Sequence, residues 1–467
     1  MDFFESPEDA NNILKSVSRF EKMVEDQNNY YFDREEFQDI VEYYISQIEF
    51  EKAEIVLDYA VSQHPTNPDV KILQAQVLIG LMKYKPALKL LKELEIIESN
   101  NSEIQLMKGA VYSKMKISDK AIECYKESLI GYEFKDDVYY LIAVEHQRNM
   151  EYKKAIKYYK LALKENAENE PALYELNMCF DCLADVAGAE KFYINFLDEQ
   201  PYSETAWFNL AGVYCRTEKW DLAVDAYDFA IAINPVFGSA YFNKANALAS
   251  NEKYDEAIAV YKETYEHESP SFITFCYIGE CYERSQRYEK SLDYYERAIK
   301  DKSDHGDAWL GKAISLDALG RREDSYKAIQ RALEFGGDEP DYWYTSSEIE
   351  EKLGYIDDSI TSMRNAIVLD ESDPSLRLDF LLLVERHLEA DLIKNAIDDS
   401  ILAFPNNTKI MCFKTAYLLK IGVFSLAYET FELVLSINFE SHTEVFKFYE
   451  NAKNNQNLLE LIDLYRD

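Results

Sequence analysis

The chain has 467 residues, with 86 acidic and 50 basic side chains and a net charge of −36. That length exceeds what one hydrophobic core fills, so several domains or a repeat array are expected. The acidity argues against nucleic acid and anionic membrane surfaces as partners, because phosphate binding needs clustered Lys and Arg. Aromatic residues at 14 % argue against disorder, and 14 Gly and 11 Pro are few for such a length, which favours helix.

In chain order, the N-terminus MDFFESPEDANN lacks the basic start and apolar run of a secretory signal. Ser6-Pro7-Glu8-Asp9 predicts a helix start, with a capping-box pattern and Pro in the first turn. Ile13, Val17, Phe20 and Val24 then form one apolar stripe. Residues 1–33 read as an N-terminal capping helix laid on the first helix pair.

From residue 34 to residue 441 the chain repeats every 34 residues without an insertion. The unit 204–237 shows the pattern: Trp207, Leu210, Ala211 and Tyr214 fall at helical spacing, and a break follows at Glu218-Lys219. Leu222, Ala223, Ala226, Tyr227 and Ala230 give a second stripe, and Pro235 ends it. With unit positions counted from residue 34, position 20 is Ala or Ser in eleven of twelve units, Ile393 being the exception. Position 8 is Ala, Gly, Ser or Thr in nine units. Small residues at these places let two antiparallel helices approach closely. Nine of the ten prolines inside the units fall at inter-unit turns, and Pro86 falls in the first turn of a second helix, where its missing N–H is tolerated. One helix pair cannot bury its apolar face alone, so neighbours must stack. After the array, Val445, Phe448 and Tyr449, then Leu458, Leu461, Ile462 and Tyr465, predict a partial thirteenth pair over 442–467 that caps the far end.

These residues resemble the tetratricopeptide repeat, whose 34-residue pattern runs Trp, Leu, Gly, Tyr, Ala, Phe, Ala, Pro. Trp207, Leu210, Ala211, Tyr214, Ala223, Tyr227, Ala230 and Pro235 carry the resemblance. The sequence departs from the pattern at Lys71, Gln105, Arg377 and Glu350, which stand at normally apolar places. The resemblance implies an all-α fold: a right-handed superhelical solenoid of antiparallel helix pairs, with twelve repeats between the two caps. It also implies a protein–protein interaction scaffold or adaptor whose first helices line a concave groove holding an extended segment of a partner. The alternative is a structural or regulatory subunit of a larger complex without catalytic activity of its own. A third reading is a spacer that self-associates.

Few residue clusters stand out as candidate sites. Cys179-Phe180-Asp181-Cys182 is a CxxC, but no second CxxC or suitably spaced His completes four zinc ligands. Both thiols are read as structural, and no metal or cofactor is expected. Six scattered His residues, no phosphate-cradling loop and no nucleophile–base order give no catalytic residues. The longest apolar runs, such as Phe380 to Val384, are too short to span a bilayer, and seven unpatterned Cys suit reduced thiols. A cytoplasmic location without membrane insertion is expected. Six consecutive units carry Tyr at position 24, from Tyr125 to Tyr295, read as core with hydroxyls reaching water.

Position 13 of the first helix carries Lys114, Arg148, Arg216, Arg284, Lys352, Arg386 and Lys420. It lies in the last turn, where the helix macrodipole favours cations. Asn209 and Asn243 share one position in successive units, with Asn246 nearby. Side-chain amides can donate to and accept from a peptide backbone. Asn209, Asn243, Asn246, Arg216 and Arg284 are therefore the groove candidates. A carboxylate clamp of the family type is discounted, because Phe208, Phe242 and Cys276 occupy its Lys positions.

Overall fold

The computed structural model describes residues 7–266 and 269–466, and no strand occurs among them. Ser6 of the expected capping box and His267 lie outside the described residues. The chain divides into two compact units, Met1–Ala240 and Tyr241–Asp467, each described by itself.

Within the repeating region, second helices begin at Phe50, Tyr84, Ser118, Tyr152, Val186, Trp220, Tyr254, Tyr288, Arg322, Ile356, Ala390 and Phe424. Each start lies 34 residues after the last. First helices follow the same step from Arg34 to Thr408, with one deviation of a single residue at Lys135. The cause of this regularity is local. In eleven pairs the residue at position 15 is left-handed, from Ile48 at φ 62 to Gly422 at φ 79. The next residue then donates its N–H to the carbonyl five residues back, as Lys219 does to Tyr214 at 3.0 Å and Arg321 to Leu316 at 2.9 Å. This closure satisfies a helix-end carbonyl and turns the chain at a fixed point. The pair 374–407 differs: Leu388 sits at φ −110 and bonds Val384 instead.

Position 20 is buried in all twelve pairs, at 0 % exposure in every case but Ile393 at 4 %. Where it is Ser, the hydroxyl bonds the facing helix: Ser325 donates to the Ala313 carbonyl at 2.8 Å, and Ser359 to that of Ser347 at 2.9 Å. The indoles mark the joints between pairs. Trp207, Trp309 and Trp343 each donate to the carbonyl six residues earlier, at 2.8–2.9 Å.

In the first unit the helix Pro7–Glu25 buries Val17, Phe20 and Met23 against Phe32, Phe37 and Ile40. In the second unit the chain ends with helix His442–Phe448, a 3-10 turn and helix Gln456–Leu464, which bury Val445, Leu458 and Ile462 on the last pair. Two expected core residues are exposed. Leu222 at 47 % and Tyr465 at 38 % lie on outer faces, since a helix stripe four residues wide includes edge positions that no neighbour covers. Gln105 and Glu350 keep polar partners: Gln105 donates to Glu95 at 2.7 Å, and Ser346 donates to Glu350 at 3.1 Å.

Candidate functional site

The six position-24 tyrosines are all buried, at 5 % exposure or less. Tyr159, Tyr193 and Tyr261 are fully buried, so their hydroxyls do not reach water as expected, and the six hydroxyls share one kind of partner. They bond the first helix of their own pair, in four cases at position 12, twelve residues earlier. Tyr125 bonds Ser113. Tyr159 donates to Gln147 Oε1 at 2.5 Å, and Tyr295 to Glu283 Oε2 at 3.0 Å. Tyr227 lies 3.9 Å from Cys215 Sγ. Removal of the hydroxyls from water raises the phenol pKa values.

Position 12 also receives the cation from position 13 of the next pair, 35 residues on. In the first unit Arg148 bonds Ser113 at 2.7 Å, and Arg216 pairs with Asp181 at 3.0 Å. In the second unit Lys352 pairs with Asp317 at 2.6 Å, Arg386 with Glu351 at 3.3 Å and Lys420 with Glu385 at 2.9 Å. These cations sit in the last turn, as the macrodipole reading requires, and in addition they tie successive first helices together.

Two rungs in the second unit do not close, and one of them lacks its acceptor. Position 12 of the helix Gly238–Ser250 is Ala249, whose side chain can accept nothing. The Tyr261 hydroxyl donates to Asn246 Oδ1 instead. Arg284, 35 residues after Ala249, turns to Glu280 on its own helix, with Nε and a terminal nitrogen each at 2.8 Å. A cleft of about 240 Å³ results, lined by Asn246, Ala249, Ser250, Tyr261, Tyr277, Glu280, Cys281 and Arg284. Tyr261 and Tyr277 stack at 5.9 Å and 19°, and Phe242 meets both rings edge-on. Behind them Glu283 has Ala318 where a rung cation would stand. Burial pushes its carboxyl up to about 7, Glu280 adds to the rise, and the Tyr295 bond and Arg284 oppose it. Burial likewise pushes the Cys281 thiol up to about 12, which makes it a poor nucleophile.

The five expected groove residues separate. Asn209 is 5 % exposed and donates to the Leu173 carbonyl at 3.4 Å. Its amide joins two first helices of the first unit, so the expected pair of matching Asn rungs on an open wall does not describe it. Arg216 belongs to the ion pair with Asp181. Asn243 is half-buried. Asn246 and Arg284 alone are brought together, in the cleft. Tyr261, Tyr277 and Glu280 were not singled out as cleft residues. The signal that finds them is the alanine at position 12, visible once positions 12, 13 and 24 are compared across units.

Elsewhere, Cys179 and Cys182 end the helix Glu170–Cys182 as free thiols. His146 is 6 % exposed, bonds Glu151 at 2.7 Å and stacks on Tyr158. No three His, Cys, Asp or Glu among the described residues gather as metal ligands. No described helix is long and apolar enough to cross a membrane.

Two family models, both described as tetratricopeptide repeat, match the sequence: one over residues 208–271 and 279–373, the other over 136–169. The chain is a tetratricopeptide repeat protein, a fold that supports protein–protein interaction scaffolds generally. No curated protein matches it. Among solved structures it is similar to the APC/C hetero-tetramer Cut9-Hcn1, at 14 % identity and a TM-score of 0.41, covering 80 % of this chain and 88 % of that one. It is similar to a tetratricopeptide repeat protein from Parabacteroides merdae at 13 % identity and a TM-score of 0.43, covering 54 % and 98 %. YrrB, titled a TPR protein with an unusual peptide-binding site, matches at 16 % identity and a TM-score of 0.32, covering 40 % and 96 %.

Proposed function

We propose that the chain is a non-catalytic scaffold that holds an extended segment of a partner protein along its first helices. The observation that carries this reading is the cleft around Asn246 and Arg284. It stands where position 12 lacks an acceptor for the next pair's cation, and it combines stacked aromatic rings with hydrogen-bonding groups. Such a mixture of apolar wall and few polar groups is the usual make-up of a binding site. The net charge of −36 keeps the array soluble and slows encounters with other anions.

The reading is tested by photo-crosslinking. A benzophenone amino acid at position 250, on the cleft rim, should capture a discrete partner in the native host. The same probe at position 426, on an exposed outer face, should not. Equal labelling patterns from both positions would remove the cleft as the binding surface.

A further inference from the structure

Where rungs are closed, position 12 takes a cation from the next pair, and in four of the five closed cases it is a carboxylate: Asp181, Asp317, Glu351 and Glu385. At Ala249 the acceptor is missing while the cation, Arg284, is present and lines the space left behind. We propose that this cleft seats an acidic side chain, Asp or Glu, of the extended partner segment, its carboxylate taking the acceptor place that Ala249 leaves vacant. The inference rests on the groove reading above and names the chemistry of its occupant.

The donors are in place. A guanidinium has five N–H groups; Glu280 takes two of those on Arg284 and Tyr254 engages another, which leaves the remaining donors for a ligand. The Tyr261 hydroxyl holds Asn246 by its carbonyl, which leaves the amide NH2 as that side chain's donating end. The Ser250 hydroxyl stands on the same lining. The volume has room for several water-sized groups. Glu280 is the one carboxylate on the lining, and it shares the guanidinium with the incoming carboxylate. Glu283, held up to about 7, carries only part of its charge near neutral pH and repels the ligand correspondingly less. Charge-assisted bonds from Arg to carboxylate then supply the selectivity.

The test uses a displayed library of random twelve-residue peptides selected against the full chain. Peptides enriched by the wild type should share one acidic residue, and changing it to its amide should weaken binding about tenfold. Ala249→Asp fills the open rung from within. It should weaken the acidic peptide by a similar factor, leave the amide variant nearly unaffected and keep the helical circular dichroism signal. Arg284→Gln should mimic the loss. Enriched peptides without a shared acidic position, or an Ala249→Asp chain that binds the acidic peptide as the wild type does, would overturn the acidic seat while the groove reading stands. A wild type that enriches no peptide at all would remove the groove reading, and the seat with it.

Discussion

Two stretches of the second unit use the same parts to different ends. From Asp317 to Lys420, three successive rungs close carboxylate on cation, and each carboxylate is about one-fifth exposed. Around Ala249 and Arg284 the rung is open, and a cleft lined by tyrosine, asparagine and arginine takes its place. The difference comes down to one side chain at position 12. A closed rung pairs donor and acceptor across two successive first helices. An open rung turns the cation to a carboxylate on its own helix, as Arg284 bonds Glu280.

If the two stretches differ in the rung alone, the packing beneath them should respond equally to damage. Ser359 and Ala257 occupy the same position 20, both fully buried. Ser359→Leu should cost ~2–4 kcal/mol, from overpacking plus a carbonyl left without its hydroxyl donor. Ala257→Leu, with overpacking only, should cost ~1–3 kcal/mol. Urea unfolding of both variants measures this, and a large cost in one stretch with none in the other would show that packing separates them.

The unpaired acid sharpens the comparison. Glu283 occupies position 12 without a cation, and its carboxyl is raised from 4.5 to about 7, chiefly by burial. A carboxyl raised in the folded state binds its proton more tightly there than in the unfolded chain. Its contribution is fully present below about 4.5 and is lost as pH rises through about 7. Relative to Glu283→Gln, the wild type should therefore lose about 1–3 kcal/mol between those values. Stability of both chains measured across that range decides it; parallel curves would mean that the carboxyl titrates normally.

Opening a closed rung should have a smaller effect. Glu351 accepts from Arg386 at 3.3 Å and lies 2.7 Å from His387 Nε2. Glu351→Gln should cost about 1 kcal/mol in urea unfolding, because the pair is partly screened by solvent. Closing the open rung should have the smallest effect. Ala249→Asp should raise stability by about 0.5 kcal/mol, read as a small rise in Tm that shrinks in high salt. A fall in Tm would mean that the introduced carboxylate does not reach Arg284.

The helix pairs were legible in the sequence because their determinants are local and recur: small residues at position 20, proline at the joints, an aromatic anchor at position 4. The site was legible only in part. Arg284 and Asn246 stood out by type, and both line the cleft. Asn209 stood out for the same reason yet is buried, since the sequence does not say whether an amide on a first helix meets solvent or the carbonyl of Leu173 one pair earlier. The cations were explained by their own helix ends, although Asp181 and Arg216, Asp317 and Lys352, Glu351 and Arg386, and Glu385 and Lys420 all lie 35 residues apart. That spacing runs one past the repeat length. A reading in steps of 34 compares like with like and passes over it.

The left-handed turns have a consequence for how the chain can be cut. Eight of them use residues other than glycine, from Ile48 to Gln286, and L-residues pay about 1–2 kcal/mol each for that conformation. Together these amount to roughly 8–16 kcal/mol, the size of an ordinary domain's whole stability, which the turn hydrogen bonds and stacking between pairs offset. The stretch 306–407 carries none of this strain, because Gly320 and Gly354 tolerate the turn and Leu388 does not adopt it. The stretch 102–203 carries it at Lys116, Met150 and Ala184. Pieces of equal length thus carry unequal turn strain, and the early pairs ask more of their packing and turn hydrogen bonds than the later pairs do.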